Sequence, residues 1–142
     1  MKNTQVLEHW FYDVWNKKDF SAIETYLAAD CITHGLLDEQ GNEVRGREGF
    51  KKFFTHFIEA FPNINIKIDD IITEGDKVVT RCTAAMPHTG KDFQATASKI
   101  IKSEGKNFQF SGVSIAIVKN DQIQEAWNHW DFLGLYMQMG VI

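Results

Sequence analysis

"FKKFFTHFIEAFPNINIKID", residues 50–69, changes its repeat halfway along. Phe50, Phe53, Phe54, Phe57, Ile58 and Phe61 fall three and four apart, the spacing of one buried helix face. Pro62 has no N–H to donate and ends that run. Ile64, Ile66 and Ile68 then alternate with polar residues, as in a half-buried strand. A core helix therefore feeds directly into a sheet, and everything else in the chain is arranged around that switch.

Upstream the pattern is helical. Val6, Leu7, Trp10, Phe11, Val14 and Trp15 form a broad apolar stripe behind Thr4, a plausible N-cap. "DFSAIETYLAAD" (19–30) reads as a second short helix, and "CITHGLLDEQGNEV" (31–44) as turn and short strand before the third helix. Downstream the pattern is extended. "VVTRCTAAM" (78–86) is a strand with Val79, Arg81 and Thr83 on one face. "KDFQATASKII" (91–101) and "NFQFSGVSIAIV" (107–118) read as two long strands joined by "SEGK". "KNDQ" (119–122) turns into a last strand, "IQEAWNHWD" (123–131), followed by a helical turn or tail. Three helices followed by an antiparallel meander give an α+β class: a curved antiparallel sheet whose N-terminal helices enclose a conical pocket. Such a pocket suits a small molecule.

Length and composition agree. The 142 residues suit a single domain spanning 1–142. The net charge of −4 comes without a basic run or stripe, so a nucleic-acid partner is not expected. No apolar stretch approaches a bilayer span and the N-terminus carries no signal-peptide pattern, so a cytoplasmic protein with no membrane partner is expected. Cys31 and Cys82 match no metal spacing and read as free buried thiols.

The last strand holds the most suggestive chemistry. By alternation Trp127, His129 and Asp131 share one face, and Ala126, Asn128 and Trp130 the other. If the first set faces the pocket, a carboxylate sits beside apolar rings, which favours its protonated form and suits it to acid/base work near neutrality. The competing reading is that Asp131 ends the strand and caps the next turn. His34 and His88 lie in loops, and each could be a structural histidine or part of a pocket lining. His34, His88, His129 and Asp131 together could converge on a metal, but no HxH or HExxH spacing supports one, and no metal is expected. Arg81 is either paired with an acid across the sheet or aimed at a ligand oxygen.

These ordered features resemble the SnoaL-like polyketide cyclase family of the nuclear-transport-factor-2-like superfamily. The resemblance rests on His34, "GREGFKKFF", "AFPNINIKI", "EGDKVVTRCT", "HTG" at 88–90, "FSGVSIAIVKNDQIQEAW", Asp131 and "LGLYMQMG", and it covers nearly the whole chain. It implies a cone of helices over a curved sheet and chemistry without metal or organic cofactor. It also implies that Asp131 matches the family's acid/base aspartate, which removes a proton so that the enolate closes a ring by intramolecular aldol attack. Isomerase or lyase chemistry and non-catalytic binding occur within the superfamily too. Asp131 and His34 are the expected catalytic residues, and His88, Trp127, His129 and Arg81 are expected to bind a small hydrophobic or aromatic ligand. The fold commonly pairs sheets between subunits, which implies a homodimer. The segment 91–110 departs from the family's shorter proline-containing turn, and a longer hairpin is expected there.

Overall fold

The computed structural model describes residues 1–142. Four α-helices and seven strands follow the order read from the sequence, with two corrections. α1 (Asn3–His9) continues without a break into a π-helical run, Trp10–Asn16. α2 (Ser21–Tyr26) is shorter than expected, because Leu27 to His34 form a strand, β1 (Leu27–His34). β1 pairs in parallel with β7 (Gln122–Trp130), so the sheet is mixed, not purely antiparallel. The helical pattern of 19–30 misleads because Leu27, Ala28 and Cys31 are inward on a strand whose register shifts between Leu27 and Ile32. Such an irregularity disguises the period of two.

α3 (Gly46–Ala60) buries Phe50, Phe53, Phe54 and Phe57, and Phe61 at its end is fully enclosed. Each such ring contributes about 1.5–3 kcal/mol by leaving water. β2 (Asn65–Glu74), β3 (Lys77–Pro87) and β6 (Asn107–Lys119) are antiparallel neighbours, and the main sheet runs β1-β7-β6-β3-β2. Asn120 and Asp121, both at positive φ (53° and 60°), make the tight turn between β6 and β7. That turn's twist suits a hairpin. The second correction concerns 91–101. These residues form a separate small hairpin, β4 (Phe93–Thr96) and β5 (Lys99–Ile101), with its own tight turn, and not a long strand of the main sheet. Phe93 and Ala95 point inward, and the Phe93 ring meets Phe57 and Phe61 at 5.2 and 5.1 Å.

The helices cover one face of the curved, unclosed sheet. The edge strand β2 is held by the Asn16 side chain, which donates to the Ile66 carbonyl (2.8 Å) and accepts from the Ile66 N–H (2.6 Å). A side-chain amide thus stands in for a neighbouring strand. At the other end the tail is a helix, α4 (Phe132–Met139), fixed to β6 by Gln138, which bonds both the N–H and the carbonyl of Gln109. No helix is long and apolar enough to cross a membrane.

Candidate functional site

A cavity of about 80 Å³ lies between the helices and the inner face of the sheet. Its lining comprises 21 residues, 18 of them hydrophobic. Aromatic rings from the helical side (Trp10, Phe11, Trp15, Phe53) face small residues on the strands (Ala84, Ser114, Ala116, Ala126). Large residues opposite small ones leave a gap that helix and sheet cannot close, and this is the local origin of the cavity. The wider π-helical run brings Trp10, Phe11 and Trp15 to one side of the gap.

The lining contains no Asp, Glu, His, Lys, Arg, Cys or Tyr. Its polar character comes from Thr33, Ser114 and Asn128, with the indole N–H of Trp130 beside them. Trp130 Nε1 donates to Ser114 Oγ (3.3 Å), Ser114 Oγ lies 2.9 Å from Asn128 Oδ1, and Asn128 Nδ2 donates to the His34 carbonyl (3.0 Å). Two glycines make this cluster possible. A Cβ on Gly112 would lie 2.3 Å from the Trp130 ring, so the bare backbone there lets the indole cross β6. Gly35 has φ +84°, and its Cβ would fall 2.0 Å from the Asn128 carbonyl oxygen. The chain therefore turns tightly against β7 just after His34.

The face expected to line the pocket is the wrong one. Ala126, Asn128 and Trp130 point into the cavity, while Trp127 and His129 lie on the outer face of the sheet. A bulge explains the reversal. Ile123 faces inward, and strict alternation from it would carry Trp127 and His129 inward as well. β6 pairs Val118 with Ile123 but Ile117 with Glu125, leaving Gln124 as an extra residue. One added residue turns every later side chain to the opposite face.

The other expected site residues divide between surface and core. His34 pairs with Trp127 across the outer face, their rings 5.2 Å apart and nearly parallel. Its Nε2 is 2.8 Å from Glu125 Oε2 and its Nδ1 4.0 Å from Glu43. Arg81 is on the outer face in the same cross-strand row as Val113 and His129, with its guanidinium 4.0 Å from Asp69. Asp69 is held below the usual carboxylate range, first by the Thr83 hydroxyl that donates to it (2.6 Å), then by the charges of Lys67 and Arg81. Arg81 thus has the cross-sheet acid that a structural pair requires. His88 is fully buried against Phe61 (4.8 Å), outside the cavity lining. Its Nε2 donates to the Lys91 carbonyl (2.8 Å) and its Nδ1 has no partner. Asp131 is exposed and caps α4: Oδ1 accepts from Gly134 N–H at 2.9 Å. Gly134 is needed there, because a Cβ would lie 2.3 Å from Asp131 Oδ2. His34, His88, His129 and Asp131 do not come together, and no three His, Cys, Asp or Glu side chains are grouped to hold a metal.

Asn128, Ser114, Trp130 and Thr33 were not singled out from the sequence. The signal available was the row of small inward residues, Ala116 opposite Ala126 and Ser114 opposite Asn128. Charge drew attention to the other face.

Solved structures share this architecture. IdmH of Streptomyces antibioticus superposes with a TM-score of 0.81 at 22% identity, over 99% of both chains. TsrD of Streptomyces laurentii does so at 0.78 and 21% identity, over 98% of this chain and 95% of its own. A protein of Acidithiobacillus ferrooxidans gives 0.79 and 22%, over 99% and 96%. At these identities the likeness is one of fold. No curated protein sequence matches the chain. The family model described as SnoaL-like polyketide cyclase matches residues 5–139, from α1 to the last residue of α4, so the helix-covered sheet and its apolar cavity are those of a member of the SnoaL-like polyketide cyclase family.

Proposed function

We propose that the protein is a cyclase-type small-molecule protein. In this reading it binds a flat, largely apolar molecule in the cavity and holds it in a folded conformation. The observation that carries this reading is the lining itself, aromatic on one side, small on the other, with one linked group of polar side chains. Holding a flexible chain with its reacting atoms together supplies a large part of the barrier to ring closure, and the apolar walls exclude water. The acid/base role expected of Asp131 has no support in this geometry, since its carboxylate caps α4 outside the lining. A proton transfer inside the cavity has no ionisable side chain to serve it. That favours a second reading, in which the same cavity holds its ligand without turnover.

The test is a thermal-shift screen of flat aromatic ketones and steroids, with each compound that binds then incubated and analysed by chromatography. Binding raises the melting temperature by mass action. Ala126→Trp, which fills the cavity, is expected to abolish the shift; a shift that survives it would sink the cavity reading. Product formation separates the enzyme from the binder. Product that disappears in Asp131→Asn while binding persists would restore the aspartate mechanism.

We also propose a homodimer joined through the outer sheet face. One row crosses all five strands of the main sheet, His34–Trp127–Ile115–Val79–Ile72, and Ile72 at its end is 59% exposed. Contiguous apolar surface of this kind marks an interaction face.

A further inference from the structure

The polar cluster in the cavity has a direction. An indole N–H only donates, so Ser114 Oγ must accept from Trp130, and its own hydrogen is then free for Asn128 Oδ1. The His34 carbonyl only accepts, so it takes one N–H of Asn128 Nδ2. The carbonyl assigns the amide: a flip would set Oδ1 against the His34 carbonyl oxygen and lose that bond. The amide's second N–H has no protein partner. Thr33, on the neighbouring strand, adds a hydroxyl whose contact is the Cys31 sulfur at 4.0 Å. No charged side chain lines the cavity to balance a ligand charge.

We infer that Asn128 is the specificity-determining residue of the cavity, its free N–H taking a neutral acceptor on the ligand and the surrounding walls rejecting charged analogues. The inference rests on the reading of the cavity as the ligand site. Trp130 and Ser114 are positioning residues: they hold the amide at its oxygen and polarise it through a chain of donors. A ligand with a ketone or quinone oxygen at that point gains a hydrogen bond. One with a methylene there leaves the buried N–H unpaired, and one with a carboxylate must shed its hydration without a counter-charge.

The test uses three probes of one shape: 9-fluorenone, fluorene and fluorene-9-carboxylate. Trp10, Trp15 and Trp130 line the cavity, so quenching of tryptophan fluorescence reads binding directly. The wild-type protein is expected to bind fluorenone on the order of tenfold tighter than fluorene, and the carboxylate more weakly than either. In Asn128→Leu fluorene binding should persist while the preference for fluorenone disappears. Ser114→Ala should reduce the preference without abolishing binding. Circular dichroism checks that each variant folds, and the wild-type comparison stands even where a variant does not. Equal binding of fluorenone and fluorene to the wild type, blocked by Ala126→Trp, would overturn the role of Asn128 while leaving the cavity reading intact. Binding that survives Ala126→Trp, or no binding of any probe, would overturn both.

Discussion

Single residues carry several of this protein's constraints. Gly35 sits at positive φ and against the Asn128 carbonyl, so Gly35→Ala meets both backbone strain and a clash. It is expected to cost about 2 kcal/mol or more, seen as a lower urea midpoint. Asp131 gives a cleaner contrast. As a cap it should tolerate Asn, while Asp131→Ala should lose about 1 kcal/mol of stability with ligand binding unchanged. A loss of binding in either variant would place the carboxylate at the ligand. Cys82 tests the burial of β3. Desolvation pushes its thiol up to about 12, well above the ordinary 9.0. The folded state therefore keeps the proton through a range in which the unfolded chain loses it. The stabilising contribution is complete below about pH 9 and is lost as pH rises from there towards 12. Denaturant titrations at pH 8 and 10 should show a smaller loss in Cys82→Ala than in the wild type. At pH 8 a thiol reagent should label Cys82 only after unfolding.

At the scale of elements, the bulge in β7 decides the site. Ile123 and Ala126 both face inward because Gln124 is unpaired. Deleting Gln124 removes the bulge and leaves Glu125 as the single outward residue between Ile123 and Ala126, so Ile123, Ala126 and Asn128 all still face the cavity and His129 stays outside. The expected outcome is a variant that folds and keeps the fluorenone preference, measured by denaturant unfolding and tryptophan quenching; a folded variant without the preference would show that the register beyond Gln124 is not what places Asn128. The periodic elements were legible beforehand. The phenylalanine stripe of α3 and the isoleucine alternation of β2 each repeat long enough to declare their period. β1 was not, because eight residues with an internal shift in register look equally like the end of a helix. The hairpin β4–β5 reads as one long strand because its turn, at Ala97 and Ser98, carries neither glycine nor proline.

At the scale of the whole molecule, two faces of one sheet have different uses. The inner face meets the aromatic helices and leaves the cavity. The outer face gathers His34, Trp127, His129 and Arg81, four residues expected to surround a ligand, on the opposite side of the sheet from it. If that face joins two copies, Ile115→Lys puts a charge at the centre of the apolar row and should convert the dimer to a monomer. Light scattering at micromolar concentration checks this. A wild-type protein already monomeric there would remove the dimer.

By itself the sequence determined the α+β class, the family, the helix-to-sheet switch at Pro62 and the apolar faces that build the core. These depend on local spacing, which each segment carries whatever its neighbours do. Only the tertiary structure decided which side of β7 faces the cavity, and therefore whether Asp131 or Asn128 is near a ligand. The physical reason is that a strand's two faces are exchanged by one unpaired residue. Whether Gln124 is paired depends on its alignment with β6, a relation between two strands that neither segment records alone.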